Sequence, residues 1–189
     1  AERAGHSGTC DVRELPGRSA MKAILICLVG MMLFLYCAGF RFNPTPSLPK
    51  GIYRIVSGTP ERGDFIAFCL KSPVWTLLAK ERGYLAPGSC TSGLRPLLKQ
   101  VVGMPGDAIT IESDAIHLST ISGSSRWPAA RHEDSAGRLL PSSSLESGMI
   151  PDGMCLALSD HPGSFDSRFF GLVPLADVVK VKPVFTIKE

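Results

Sequence analysis

The feature that most constrains this chain is an uncharged run of eighteen residues, AILICLVGMMLFLYCAGF, at positions 23–40. At about 1.5 Å per residue a helix of this length extends about 27 Å, close to the hydrocarbon thickness of a bilayer. A helix that is apolar on every face is rarely suited to the core of a small soluble domain. The run therefore predicts one transmembrane anchor at residues 23–40, with residues 1–22 as an N-terminal leader and residues 41–189 as a separate domain.

A cleaved signal peptide is the alternative interpretation of this run. Cleavage requires small residues in an A-x-A-like pattern, and the sequence YCAGFRFNP that ends the run fits this pattern poorly. We therefore expect an uncleaved anchor. Lys and Arg residues flank both sides and barely orient it. Residues 1–20 resemble a dispensable leader, because MKAILICLVG from Met21 is typical of a natural start.

Composition excludes several classes of protein. The chain has 44% hydrophobic and 20% charged residues and a net charge of +3 without a basic cluster, which argues against disorder and against nucleic-acid binding. No C-x-x-C spacing occurs, so we expect no zinc site or other metal site. The spacing of Cys69 and Cys90 is equally compatible with a disulfide and with unpaired thiols. His132 and His161 lie in predicted loops and are expected at the surface.

Most segments after the apolar run have the composition of short β-strands. One helix is predicted, with Ser72 as the N-cap, Pro73 at its first position and Gly83 after its end. Residues 119–148 are rich in Ser, Gly and Ala and are interpreted as a long loop. The domain is therefore expected to be mainly β, a barrel or sandwich with a small helical insert. The predicted strands are residues 51–56, 64–70, 97–103, 108–112, 154–159 and 177–188.

A serine in a stiff loop follows the apolar run, in NPTPSLPKGIY. Pro46 and Pro49 restrict the backbone on both sides of Ser47, so its hydroxyl is held with little entropy left to lose. The Ser47 N–H can face a developing oxyanion, and the Thr45 hydroxyl is a candidate second donor. The alternative is a turn at the membrane surface that contains an incidental serine.

A serine nucleophile needs a base, and a lysine serves only when it is neutral. With a free pKa of about 10.4, about one lysine in two thousand is neutral at pH 7, and burial lowers that pKa. In RPLLKQVVGMPGD, strand alternation places Lys99 on one face with Leu97 and Val101. Lys99 is thus the candidate base, and an edge-strand lysine that reaches water is the alternative. Lys180 and Lys182 are expected to point to solvent, and Lys50 to lie in an exposed loop.

A third polar cluster is SDHPGSFDSRFFG, at positions 159–171. Asp166 and Arg168 can form an ion pair that makes the segment rigid. Ser164 can orient a nearby lysine amine. A polar surface hairpin is the alternative interpretation.

These three clusters, in this order after a membrane segment, resemble the type I signal peptidase family. SLPKG at 47–51 is similar to its S-x-P-x-G box, and KQVVGMPGD at 99–107 is similar to its K-R-x-x-G-x-P-G-D box, with Gln100 in place of the usual arginine. GSFDSRFFG at 163–171 resembles the end of its third box. The beginning of that box departs from the pattern, since SDHPG replaces GDNRD and the segment is one residue shorter.

The resemblance implies a signal-peptidase-like β domain with a Ser/Lys dyad and no cofactor. Ser47 would be the nucleophile and Lys99 the general base. Ser164 would position the lysine, and Asp166 with Arg168 would brace that loop. Thr45 occupies the place from which the family's second oxyanion donor comes.

The segment between the first two boxes resembles, more narrowly, the TraF branch of plasmid conjugation peptidases. These mature a pilin precursor and in some cases cyclise it. The resemblance implies a Cys69–Cys90 disulfide and contacts with the conjugative secretion machinery. It also implies an anchor in the inner membrane, with residues 1–22 in the cytoplasm and the catalytic domain in the periplasm. The alternatives are a general type I signal peptidase and a non-catalytic membrane scaffold of the transfer apparatus.

Overall fold

The computed structural model describes residues 16–161 and 163–187, and its contacts divide the chain into two units that meet in sequence at Ala38 and Gly39. The described part of the first unit is the helix α1, Pro16–Cys37. Its segment Ala20–Cys37 has a mean hydropathy of 2.2 and is long and apolar enough to cross a membrane. The predicted apolar helix is therefore present, but it ends at Cys37 instead of residue 40. It also includes residues assigned to the leader, whose residues 1–15 lie outside the described range.

The second unit consists of two antiparallel sheets, as the mainly β prediction requires. Along the chain the strands are β1 (Phe40–Asn43), β2 (Lys50–Ile55), β3 (Phe65–Phe68), β4 (Leu97–Gly103), β5 (Ala108–Ile111), β6 (Ala115–Thr120), β7 (Gly123–Pro128), β8 (Gly148–Met149), β9 (Met154–Leu158), β10 (Val173–Pro174) and β11 (Val178–Ile187). The larger sheet has the order β1-β2-β11-β3-β4-β9-β10, and the smaller has the order β7-β6-β5-β8.

The helical insert is α2, Pro73–Glu81, close to its predicted position. Pro73 occupies the first turn, whereas the Ser72 side chain makes no capping hydrogen bond. The buried side chains of Trp75 and Ala79 attach the helix to the domain. Two short helical segments follow, α3 (Ser167–Phe170) and a 3-10 turn (Leu175–Asp177). Cys69 and Cys90 on either side of α2 are joined by a disulfide.

Strands β4 and β9 are largely buried on both faces. This explains why their sequences, LLKQVVG and MCLAL, are mostly apolar and do not alternate with polar residues. One hydrophobic cluster takes Leu97 and Val101 from β4 together with Trp75 of α2. The other takes Val102 from β4 and Leu156 from β9 and packs them against the smaller sheet. The side chains of β4 are therefore buried, except those of Leu98 and Gln100, which are half-buried.

The predicted loop at 119–148 is wrong in part. Strand β6 extends to Thr120, β7 pairs with it along its length, and β8 closes the segment. The hairpin turns at Gly123, whose φ is +140°, a region that favours glycine. Strand β7 escaped detection because five of its six side chains are exposed, so its sequence GSSRWP has no apolar alternation. Strand β11 continues through Pro183 without ending there. Its pairing with β2 shifts register between Pro183 and Phe185.

Candidate active site

The serine loop connects β1 to β2, the first antiparallel pair of the larger sheet. Asn43 pairs with Gly51 at its base. Ser47 is half-buried at the tip, while Leu48 is buried beneath it. A Cβ at Gly51 would lie 2.0 Å from the Phe185 carbonyl oxygen of β11, so only glycine fits at the end of the S-x-P-x-G motif.

Asn43, which the sequence interpretation missed, holds this loop together. It is buried, with 6% of its surface exposed. Its Nδ2 donates to the carbonyl oxygens of Thr45 (3.2 Å), Leu48 (3.2 Å) and Pro49 (3.3 Å). Its Oδ1 accepts from the Thr45 N–H at 3.2 Å and from the Thr45 hydroxyl at 2.7 Å. The one sequence signal was an asparagine directly before a proline at the start of a loop, a position typical of side-chain-to-backbone turns.

The Thr45 and Ser47 hydroxyls lie next to each other in the loop. Thr45 Oγ1 is 3.2 Å from Ser47 Oγ, and the contact is exposed. From below, the hydroxyl of the buried Tyr53 donates to the Pro49 carbonyl at 2.7 Å. The loop is thus fixed at both ends while its two hydroxyls remain accessible.

Lys99 lies in the middle of β4, between β3 and β9, and 3% of its surface is exposed. This position excludes the edge-strand alternative, since β4 has a neighbour on each side. The Lys99 Nζ donates to the Ser164 Oγ at 2.9 Å. Burial lowers the pKa of Lys99 to about 8, because the charged form loses its hydration; the Asp166 charge opposes this shift and the Arg168 charge adds to it.

Two other lysines do not lie where the sequence placed them. Lys180 is not directed to open solvent, because its Nζ forms an ion pair with the Asp64 carboxylate at 2.5 Å and its side chain is 16% exposed. Lys50 begins strand β2 and is not in a loop. Lys182 is exposed, as predicted.

Most polar side chains of the cluster that follows β9 are buried, although Asp160 and His161 are exposed, so the surface-hairpin alternative is wrong. Asp166 and Arg168 are 0% and 1% exposed. The Arg168 guanidinium donates to both carboxylate oxygens of Asp166, at 2.8 Å from Nε and 2.6 Å from Nη2. The same Nη2 donates to the Ser159 carbonyl at 2.7 Å, and the Ser159 N–H donates to Asp166 at 3.2 Å. The ion pair and these hydrogen bonds therefore join the beginning of the segment, Ser159, to its end, Asp166 and Arg168.

This segment contacts both the serine loop and the lysine. Ser159, a second residue that the sequence interpretation missed, is buried, and its hydroxyl donates to the Ser47 carbonyl oxygen. Five residues later Ser164, also buried, accepts from Lys99. The structure thus connects the loop of Ser47 and the amine of Lys99 to the same short segment, through Ser159 and Ser164. No sequence pattern indicated Ser159, because its partner lies 112 residues away.

The turn after β4 has a structural role. The Asp107 carboxylate accepts from the Met104 N–H at 2.7 Å and forms an ion pair with Arg62 at 2.6 Å. Gln100, which stands where the family pattern has arginine, donates to the Gly63 carbonyl at 2.9 Å. Gly103 is needed for space and not for an unusual φ, because a Cβ there would lie 2.6 Å from Ile150 Cδ1. These contacts fix the end of the strand that carries Lys99.

The side chains of His132 and His161 form no hydrogen bond with Ser47 or Lys99, although the His161 backbone N–H donates to the Ser159 hydroxyl at 3.2 Å. His132 and His161 are exposed, as expected. Within the described residues, no group of three or more His, Cys, Asp or Glu side chains is arranged to hold a metal ion. The site is therefore best described by its hydroxyls, its one buried amine and the ion pair behind them.

The domain thus has an accessible serine loop and a buried lysine that are bridged by the segment from Ser159 to Ser164, without a direct hydrogen bond between Ser47 and Lys99. The chain belongs to the signal peptidase family, peptidase S26, whose pattern matches residues 17–185. Conjugal transfer protein TraF of Agrobacterium tumefaciens (strain 15955) is 35% identical over 159 residues, which cover 78% of this chain and 83% of that protein. Plasmid transfer protein TraF of Escherichia coli is 33% identical over 155 residues, covering 80% and 85%.

A signal peptidase I from Enterococcus faecalis V583, solved by crystallography, aligns with 68% of this chain and 98% of its own. The TM-score is 0.33 and the identity 22%. This structural similarity is weak, and no conclusion about the chain depends on it.

Proposed function

We propose that this chain is a membrane-anchored Ser/Lys endopeptidase that matures a conjugative pilin precursor. The observation that carries the proposal is the buried Lys99 amine, whose pKa of about 8 leaves about one molecule in ten neutral at pH 7. A lysine with the ordinary pKa of 10.5 would be neutral in only about one molecule in three thousand at pH 7. Two of the relatives reported above are named as conjugal or plasmid transfer proteins, which supports a role in conjugation.

In the proposed reaction the neutral Lys99 amine takes the proton of Ser47 Oγ as this oxygen attacks the scissile carbonyl. The Ser47 backbone N–H stabilises the oxyanion, and Thr45 is the candidate second donor. The Lys99 ammonium formed in this step then protonates the leaving nitrogen as the scissile C–N bond breaks, which restores the neutral amine and leaves an acyl-enzyme on Ser47. Water resolves it to a cleaved product, whereas an amine of the same pilin chain resolves it to a ring.

The supporting residues have distinct proposed roles. Ser164 holds the amine through the 2.9 Å hydrogen bond, and Asp166 with Arg168 keeps that segment rigid. The α1 helix would anchor the enzyme in the inner membrane with its catalytic domain in the periplasm. The anchor would raise the effective concentration of a substrate that is itself in the membrane and would place the enzyme beside the conjugative secretion machinery.

The experiment is processing of the pilin precursor in cells that carry Ser47→Ala or Lys99→Ala, read by mass spectrometry of the pilin. Both variants are expected to accumulate unprocessed precursor at normal enzyme levels. Ring closure would appear in wild-type cells as a product lighter than the linear one by one water. Normal processing by Ser47→Ala would instead favour a non-catalytic scaffold. Cleavage of unrelated exported precursors by the wild type would favour a general signal peptidase.

A further inference from the structure

The hydrogen bonds around Asn43, the only asparagine in the chain, have a defined direction. The Thr45 N–H can only donate, so it identifies the amide oxygen of Asn43. The carbonyls of Thr45, Leu48 and Pro49 can only accept, so they identify the amide nitrogen. The five contacts agree with one orientation of the side chain, and the flipped amide would oppose all of the backbone contacts.

This orientation fixes the direction of the Thr45 hydroxyl. Asn43 Oδ1 has no proton, so Thr45 Oγ1 must be the donor in the 2.7 Å contact between them. A hydroxyl has one proton, so Thr45 can only accept in its 3.2 Å contact with Ser47. The first distance is ordinary for O–H···O and the second is long, so the bond to Asn43 is the stronger of the two.

We infer that Asn43 is a positioning residue that holds the serine loop and makes the Thr45 hydroxyl an acceptor toward Ser47. In the resting enzyme the Ser47 hydroxyl thus donates a weak hydrogen bond to Thr45. Because this bond is weak, the Ser47 hydroxyl can leave it easily and turn toward the base. Thr45 can donate to an oxyanion only after its bond to Asn43 breaks. The inference rests on the proposed function, because it concerns how that nucleophile is prepared.

Asn43→Leu tests the inference, since it keeps a similar volume and removes all five hydrogen bonds. With purified full-length enzyme in detergent and the pilin precursor, we expect kcat to fall about 100-fold, the scale of loss when a reacting group is misplaced by about 1 Å. KM and the pH midpoint of kcat/KM should remain unchanged, because neither the substrate contacts nor the surroundings of Lys99 are altered. A kcat within twofold of the wild type would overturn the inference.

Coupling to Thr45 separates positioning from a general structural effect. In the wild type, Thr45→Val should lower kcat and Thr45→Ser should not. In the Asn43→Leu background, Thr45→Val should cost less than it does in the wild type, because the part of its effect that passes through the chain from Asn43 to Ser47 is already lost. Asn43→Asp keeps an acceptor for Thr45, so in that background Thr45→Val should cost its full wild-type factor. Additive losses with Asn43→Leu would refute the proposed chain.

Two further variants complete the design. Ile116→Ala destabilises the domain through the hydrophobic cluster of the smaller sheet, away from the serine loop, and should keep its kcat per folded molecule. If Ser47→Ala still processes the precursor, the proposed function fails. If Ser47→Ala is inactive while Asn43→Leu retains the wild-type kcat, only the inference about Asn43 fails.

Discussion

Replacing Lys99 by methionine is expected to stabilise the folded domain at neutral pH while it abolishes processing. The pKa of Lys99 falls from 10.5 to about 8 on folding, mainly because its ammonium loses water in the interior. In the unfolded chain the lysine is charged up to pH 10.5, so between pH 8 and 10.5 the unfolded state binds more protons and stability rises with pH. The cost of burying Lys99 is therefore full below pH 8 and disappears above pH 10.5.

The size of this effect follows from the same shift. Linkage gives an ionisation penalty of about 3 kcal/mol at pH 7 and about 1 kcal/mol at pH 9.5. Methionine removes this penalty and also removes the hydrogen bond to Ser164, a loss of about 1 kcal/mol that does not depend on pH. We therefore expect Lys99→Met to be more stable than the wild type by about 2 kcal/mol at pH 7 and to be nearly equal to it at pH 9.5.

The assay is urea unfolding of the full chain in detergent micelles, followed by tryptophan fluorescence. Both tryptophans, Trp75 and Trp127, lie in the second unit, so the signal reports the domain that contains Lys99. The decisive quantity is the change of about 2 kcal/mol in the stability difference between the two pH values. A difference that is the same at both pH values would refute the argument that Lys99 is buried with a lowered pKa.

Three further predictions concern the same domain. First, kcat/KM of the wild type should rise about tenfold from pH 7 to pH 9 with a midpoint near 8, since only the neutral amine of Lys99 is a base; a flat profile in a steady-state pH series would contradict this. Second, Ser159→Ala should lower kcat roughly 10- to 100-fold without moving that midpoint, because its hydroxyl holds Ser47 and not the lysine; a shifted midpoint in the same series would contradict it. Third, Gly103→Ala should destabilise the domain by about 1–3 kcal/mol in urea. The new Cβ would lie 2.9 Å from Leu156 Cβ, which side-chain rotation cannot move, and 2.6 Å from Ile150 Cδ1. An unchanged unfolding midpoint would contradict this prediction.

The sequence predicted those parts of the fold in which burial leaves a pattern. Strand β4 was found at its observed bounds because Leu97 and Val101 enter one hydrophobic cluster and Val102 enters the other. The face on which Lys99 lies followed from the same alternation. Strand β7 left no such pattern. It lies at the edge of its sheet and is held by backbone pairing with β6, so its exposed positions need no apolar residues.

The site was predictable as a set of candidate residues but not as a network. Pro46 and Pro49 made the loop around Ser47 recognisable, because their effect on the backbone is local. The contacts of Ser159 and Ser164 depend instead on which strands are neighbours, since β4 and β9 pair only in the folded domain. Asn43 acts locally, but its five hydrogen bonds to Thr45, Leu48 and Pro49 form only in the turn that the loop adopts. The chain contains many serines, and the tertiary contacts of the folded domain determine which of them belong to the site.

The arrangement meets two requirements that conflict for a serine and a lysine. The amine must be buried to lose its charge, whereas the serine must remain accessible to a peptide. The segment from Ser159 to Arg168 reconciles them by bonding a half-buried loop at one end and a buried strand at the other. The two charges of its ion pair act in opposite directions on the base: that of Asp166 raises the pKa of Lys99, that of Arg168 lowers it, and desolvation is a larger cause than either. The pair can therefore make the segment rigid without determining the charge of the amine, which is left to desolvation.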